Sequence, residues 1–313
     1  MEGTVQMVSF RDRSILSIRD MSTDDLWKIV ETTGRVKSDD PGPFLKGRTV
    51  AALFYEPSTR TRLSFESAVL KSGGSTFGFA TPAATSQSKG ETFSDSVIVV
   101  AGYADVLVIR HPVEGAARLA SEVAGIPVIN AGDGANQHPT QTFLDLFTMY
   151  ESIGRLENLK VGMMGDLKYG RTVHSLTHAL AMFGADLTFI SPPSLEMPPH
   201  ILKELEDDGI SFRKLAEPED AADLDLDFLY VTRIQKERFG DPQEYKSVAH
   251  SYMVDKGTIE TLGADVRIMH PLPRVDEISV EVDPLPNALY FVQAHNGIPT
   301  RRALLGLVTG GLE

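Results

Sequence analysis

Apolar runs of only four to six residues recur along this chain, each followed by polar punctuation and then a helical pattern. Val50-Ala51-Ala52-Leu53-Phe54-Tyr55, Val106-Leu107-Val108-Ile109 and Pro127-Val128-Ile129-Asn130 open the series. Val161-Gly162-Met163-Met164-Gly165 and the segments 187–190, 228–231 and 266–269 continue it. Runs this short, apolar throughout and bounded by breakers, read as strands buried on both faces. Strands alternating with helices specify an α/β fold built on parallel sheets. The helical segments are 23–33, capped by Ser22, then 58–72, 91–101, 115–124, 140–152, 172–183 and 199–206. Further strands are expected at 75–79 and 210–212, with a strand entrance where Leu224, Leu226 and Phe228 alternate with aspartates. The segment 82–90 reads as a polar loop, and 301–308 as a short terminal helix.

At 313 residues and 34.2 kDa the chain is long enough for two cores. The expected architecture is α/β with two domains, each a mostly parallel sheet flanked by helices. The first covers 1–150 and the second 151–290, with 291–313 a helix returning to the first. A net charge of −13 gives no sign of a nucleic-acid-binding face. Cysteine is absent, which excludes thiol nucleophiles, disulfides and Cys-ligated metals within this chain. No apolar stretch reaches the roughly 18 residues a membrane span needs, and no apolar signal segment follows Arg11 and Arg13. A cytoplasmic location is expected.

Open parallel sheets hold ligands outside the carboxyl ends of their strands. Polar residues gather there. Ser58-Thr59-Arg60-Thr61-Arg62 supplies hydroxyls and guanidiniums at a strand-to-helix junction, where the first N–H groups of the helix add positive potential. The pattern suits an anion, although capping by Ser58 and a surface salt bridge of Arg62 also fit it. Arg110 and His111 end another strand. His138-Pro139-Thr140-Gln141 sets an imidazole and an amide three residues apart on a first helical turn. The imidazole can polarise a carbonyl and the amide can bond an amide, or both can be structural. Gly165-Asp166-Leu167-Lys168-Tyr169-Gly170-Arg171 opens the second domain without a complete dinucleotide fingerprint. Arg171 is placed for a carboxylate or for Asp166. His174 and His178 share a helical face, as a metal pair lacking a third ligand or as packed residues. Arg233-Ile234-Gln235-Lys236-Glu237-Arg238 is a charged loop or a solvated face. His270-Pro271-Leu272-Pro273-Arg274 is a rigid turn whose carbonyls can face a ligand.

Taken together, these segments resemble the aspartate/ornithine carbamoyltransferase family, and Ser88-Lys89-Gly90-Glu91 adds to the match. The resemblance runs over nearly the whole chain. It implies transfer of the carbamoyl group of carbamoyl phosphate to an amino acid, with release of phosphate. It makes 1–150 the carbamoyl-phosphate-binding domain and 151–290 the aspartate-binding domain. Ser58, Thr59, Arg60, Thr61 and Arg110 would bind phosphate. Thr61, Arg110 and His138 would polarise the carbonyl, with Gln141 on the carbamoyl nitrogen. Arg171, Arg233 and Gln235 would grip the acceptor, helped by backbone groups at Pro271 and Leu272. Lys89, with Thr85 or Ser86, would enter the neighbouring subunit's site, which implies a homotrimer and leaves room for separate regulatory chains.

The family's ornithine-specific members carry a cysteine in the segment matching His270-Pro271-Leu272-Pro273. This chain has none, and its basic loop suits the second carboxylate of aspartate. The expected product is therefore N-carbamoyl-L-aspartate, the de novo pyrimidine precursor. No metal or other cofactor is expected. An anion-binding regulatory protein on the same frame would retain Ser58 to Arg60 without turnover, and a nicotinamide oxidoreductase would need the missing glycine fingerprint.

Overall fold

The computed structural model describes residues 9–81, 90–234 and 252–312. It divides into two compact units, Met1–Phe147 with Asn296–Glu313, and Thr148–His295. Thr85, Ser86, Lys89 and Gln235 lie outside the described residues.

The first unit is built on β1 (Thr49–Phe54), β2 (Ser75–Phe79), β3 (Val106–His111) and β4 (Val128–Asp133), with α1 (Thr23–Ser38), α2 (Thr59–Lys71), α3 (Phe93–Ala101), α4 (Ala116–Ala124) and α5 (Pro139–Ile153). All strand pairs are parallel, in the order β2-β1-β3-β4. The all-apolar runs are all-buried: every residue of β1 after Thr49 and of β3 through Arg110 is inside. The Ser22 cap is a reciprocal capping box with Asp25, whose pKa stays low: burial opposes this, but bonds from Arg13 and the Ser22 N–H prevail.

The second unit carries β5 (Lys160–Met164), β6 (Asp186–Ile190), β7 (Phe212–Leu215), β8 (Phe228–Val231) and β9 (Arg267–Met269), with α6 (Arg171–Met182), α7 (Pro199–Asp207) and α8 (Lys256–Leu262). Its order is β7-β6-β5-β8-β9, again parallel throughout. Each sheet changes winding direction beside its first strand, between β1 and β3 and between β5 and β8. Those are the positions where open α/β sheets leave room for ligands.

Several local expectations need correction. β7 begins at Phe212, two residues later than the segment 210–212 implied, because the Ile210 N–H turns back to Leu205 O and closes α7 behind Gly209. Of the alternating residues before β8, Leu224 ends a 3-10 helix, Pro218–Leu224, and the strand itself begins only at Phe228. Asp227 then spends its carboxylate on Arg155 and on the Lys160 N–H at the start of β5. α8 was unforeseen, and its signal is a capping box between Asp255 and Thr258. The last helix, α9 (Tyr290–Val308), starts well before residue 301 and encloses Pro299. Its later residues Ala303, Leu304, Leu305, Leu307 and Val308 are all buried, and that packing offsets the hydrogen bond Pro299 cannot make.

Candidate functional site

In the first unit, β1 and β3 end side by side. Phe54 pairs with Arg110, and the Tyr55 N–H donates to Arg110 O at 2.8 Å. The chain leaving β1 passes Glu56 and Pro57 and starts α2 at Thr59, with Ser58 as N-cap. The Ser58 side chain makes no capping bond, which removes the bland reading of that hydroxyl. Arg62 turns aside to Glu66 at 2.7 Å, whereas Thr61 is buried on the first turn. Arg60 is exposed, and the protein around it lowers its pKa by desolvation. A helix N-terminus with a buried hydroxyl and a nearby guanidinium is a site for a phosphate-like anion.

Arg110 lies across the ends of the strands. Its Nη2 donates to Glu56 Oε1 at 2.8 Å and its Nη1 to Ala131 O at 3.2 Å. The same Nη1 is 3.5 Å from His138 Nε2. At 8% exposure, Arg110 is a nearly dry cation with a fixed direction. His111, its neighbour in sequence, does something else. Its ring packs against Tyr55 and Phe93, its Nδ1 accepts the Val113 N–H, and burial lowers its pKa. Of the two histidines here, only His138 meets the guanidinium.

β4 runs through Asp133, three residues beyond the strand expected from sequence, so Asn130 and Asp133 sit inside it. Asp133 ties the turn together. Its Oδ1 accepts from Asn130 Nδ2 at 2.9 Å and the Gln137 N–H at 3.1 Å. Its Oδ2 accepts from the Gly115 N–H at 2.8 Å and Asn136 Nδ2 at 3.1 Å. His138 then caps α5, with Pro139 at the first helical position, and its carbonyl accepts from the Gln141 and Thr142 N–H groups. Gln141 Nε2 donates to Asp145 Oδ1 at 2.8 Å. A carboxylate only accepts, so this bond fixes the amide with its NH₂ on Asp145 and leaves Gln141 Oε1 as its acceptor end. Asp145 is fully buried, and its charge supports Arg301, whose pKa burial lowers to about 10.

In the second unit, the loops after β5, β8 and β9 share one edge. Gly165 has φ +113, and a Cβ there would stand 2.3 Å from Thr232 O, so only glycine lets β5 turn this close to β8. Thr232 Oγ1 donates to Met164 O at 3.1 Å, locking the residue before Arg233 against the loop that leads to Arg171. Arg171 is the first residue of α6, and both arginines are half-buried. Beyond β9, His270 N–H donates to Gln293 Oε1, and Leu272 N–H donates to His270 Nδ1, both at 2.8 Å. Leu272 adopts φ +58. Pro271 and Pro273 have no N–H, so the turn offers carbonyls to its surroundings. His174 Nε2 is bonded to Leu167 O at 2.8 Å, and His178 faces Glu204 at 3.5 Å.

Known proteins match this arrangement over both units. The model of the carbamoyl-P binding domain of aspartate/ornithine carbamoyltransferases matches residues 13–151, and that of the Asp/Orn binding domain matches 157–308. The chain belongs to the aspartate/ornithine carbamoyltransferase family. Within this family it is 51% identical over 310 residues to the aspartate carbamoyltransferase catalytic subunit of Thermococcus onnurineus, covering 98% of this chain and 100% of that one. Its structure is similar to the catalytic subunit of M. jannaschii aspartate transcarbamoylase, with TM-score 0.88 and 47% identity over 94% of this chain and 96% of that one. It is also similar to Trypanosoma cruzi aspartate transcarbamoylase solved with carbamoyl phosphate and aspartate, with TM-score 0.87 and 35% identity over 96% and 97%.

For a carbamoyltransferase, sequence reasoning passed over the carboxylates. Glu56, between the apolar run ending at Tyr55 and the segment from Ser58, received no role, yet it directs Arg110. Asp133 organises the turn to His138, and Asp145 sets the Gln141 amide. Only Asp145 carries a positional signal, four residues after Gln141 on one helix face.

Proposed function

We propose that this chain transfers the carbamoyl group of carbamoyl phosphate to the amine of L-aspartate. The products are N-carbamoyl-L-aspartate and phosphate, in de novo pyrimidine biosynthesis. The observation that carries the proposal is the fixed set of donors at the ends of β1, β3 and β4, where Arg110 meets His138 beside the α2 N-terminus.

Ser58, Thr59, Arg60 and the first N–H groups of α2 hold the phosphoryl oxygens. Thr61, Arg110 and His138 bind the carbamoyl oxygen, and Gln141 Oε1 accepts from the carbamoyl NH₂. Arg171, Arg233 and Gln235 bind the two carboxylates of aspartate, and the carbonyls of Pro271 and Leu272 accept from its amine. The deprotonated amine attacks the carbamoyl carbon, and the carbonyl oxygen becomes an oxyanion facing donors already in place. The C–O bond to phosphate then breaks, its electron pair leaving with phosphate, which takes the proton lost by the amine. No covalent enzyme intermediate is formed.

The active form is a cytoplasmic homotrimer in which Lys89, with Thr85 or Ser86, completes the adjacent site, and separate regulatory chains are compatible with it. Exposed Leu63 and Leu70 on α2, and Ile98, Val99 and Tyr103 on or just after α3, support a partner surface. In sequence, Lys89 stands between β2 and α3. Purified chain assayed with carbamoyl phosphate and a panel of aspartate, ornithine, N-acetylornithine and N-succinylornithine should yield carbamoyl-aspartate in strong preference. Carbamoyl phosphate binding without turnover of any acceptor would make it an anion-binding protein instead.

A further inference from the structure

The turn after β9 contains a buried histidine–carboxylate pair that the transfer chemistry does not use. His270 Nε2 is 2.8 Å from Glu277 Oε1, with 1% and 8% of the two side chains exposed. The ring's other nitrogen, Nδ1, accepts the Leu272 N–H at 2.8 Å. An acceptor carries no proton, so the proton is on Nε2 and points at Glu277. The second carboxylate oxygen, Glu277 Oε2, accepts the Val275 and Asp276 N–H groups, each at 3.0 Å. Burial would raise the pKa of Glu277, but the bonds from His270 and the backbone outweigh it, and the group is held below its ordinary value. Every hydrogen along this path therefore has one direction.

The path ends on a residue in an unusual conformation. Leu272 has φ +58, a region that is costly for a branched residue and persists only where the surroundings impose it. Its N–H is the only one between Pro271 and Pro273, and His270 draws it inward. From Pro271 through Pro273, the backbone has only carbonyls left to offer outward.

We propose that His270 and Glu277 are positioning residues for the acceptor amine. Glu277 fixes the His270 tautomer, the ring holds the Leu272 N–H, and the Pro271 and Leu272 carbonyls are thereby aimed at the amine. This rests on the reading that those carbonyls receive the acceptor's N–H groups. It adds that the amine, rather than the carboxylates, is what this turn selects.

The isosteric change Glu277→Gln separates the chain of hydrogen bonds from simple packing. An amide can keep its oxygen on the Val275 and Asp276 N–H groups and turn its NH₂ toward His270. The imidazole must then accept at Nε2, carry its proton on Nδ1, and face the Leu272 N–H donor to donor. The reverse amide orientation sets NH₂ against two N–H groups. Neither satisfies the turn.

The expected result is a loss in kcat/KM for aspartate of about tenfold to a hundredfold, the range for one hydrogen bond to a charged partner. The KM for carbamoyl phosphate should stay within about twofold. Succinate keeps both carboxylates and lacks the amine, so its binding in the presence of carbamoyl phosphate should also stay within about twofold. Nitrogen NMR of labelled imidazoles should place the proton of His270 on Nε2 in the parent chain and not in the variant. Unchanged aspartate kinetics, or an equal loss of succinate binding, overturns the proposal. If the parent chain itself makes no carbamoyl-aspartate, the failure lies in the proposed reaction rather than in this turn.

Should Glu277→Gln not fold, a pair of substitutions at His270 asks the same question. In His270→Asn the side-chain oxygen stands near the old Nδ1 and keeps the Leu272 bond. In His270→Gln the amide reaches toward Glu277 and abandons Leu272. The proposal requires the larger loss of aspartate use in His270→Gln, and the opposite order refutes it.

Discussion

The two units reach similar ends by different means. In the first, side chains hold side chains. Glu56 and Ala131 O aim Arg110, Asp133 collects four donors around the turn before His138, and Asp145 orients Gln141. In the second, the backbone is what is positioned. Gly165 lets one loop touch Thr232, and His270 holds a leucine in the left-handed region. The difference follows the chemistry each unit is proposed to serve. An oxyanion forming on the carbonyl needs donors whose directions are set in advance, because reorganising them during the reaction costs free energy. An incoming amine needs acceptors, and backbone carbonyls between prolines provide them without a charge that would repel the acceptor's carboxylates.

The strongest way to break this comparison is Arg110→Ala. The substitution removes the proposed donor to the carbonyl and deprives Glu56 and His138 of a common neighbour. We expect kcat/KM to fall about 10²- to 10³-fold, as when an oxyanion-stabilising donor is lost. Arg110→Lys should not restore it, because one ammonium cannot reproduce a planar fork reaching Glu56 and Ala131 O together. Steady-state kinetics decide the matter, and an Arg110→Ala enzyme within a few-fold of the parent would show that the network is structural only.

Arg233→Ala tests the other side and should be narrower. Arg233 follows β8, and its proposed partner is an acceptor carboxylate. The KM for aspartate should rise about tenfold to a hundredfold, the range for a charge-assisted hydrogen bond. Calorimetric binding of carbamoyl phosphate should be unchanged. Loss of both substrates together would mean that the two units are not separable in the way the comparison implies.

What could be read in the sequence follows the same division. Strand positions were legible because a strand buried on both faces must be apolar throughout, as β1 and β3 are. The segment proposed to bind the anion could be singled out because Ser58 to Arg62 is contiguous and opens a helix. His138 and Gln141 were legible because one helical turn separates them. The carboxylates were not, since Glu56 or Asp133 bonded to a neighbour is written with the same letter as one in solvent. Glu277 was hidden by six intervening positions and by a turn whose path only the fold supplies. Of the two starts read for the last helix, 291 and 301, the later one was wrong: Pro299 ends a helix by local rules, while burial of the residues after it keeps this one intact. The 3-10 segment Pro218–Leu224 carries no apolar periodicity that would mark it, and the alternation of leucine and aspartate begins only at its last residue.

The smallest expected effect sharpens the comparison through acid. Glu277 has a pKa lowered from 4.5 in the folded chain, with burial opposed and outweighed by its hydrogen bonds to His270 and the backbone. A group with a depressed folded pKa stabilises fully above its unfolded value and loses that contribution as pH falls through the folded one. The turn after β9 should therefore be latched at neutral pH and begin to loosen only below 4.5. Fluorescence will not report it, because the single tryptophan, Trp27, lies in α1 of the other unit. Hydrogen exchange at the Leu272, Val275 and Asp276 amides will, since these are the N–H groups the pair holds. Dividing rates in Glu277→Gln by rates in the parent at each pH cancels the intrinsic pH dependence of exchange. That ratio should be about tenfold or more at pH 6 and shrink toward one as Glu277 is protonated in the parent. A ratio that stays constant through the acid range would mean that protonating Glu277 does not loosen the turn.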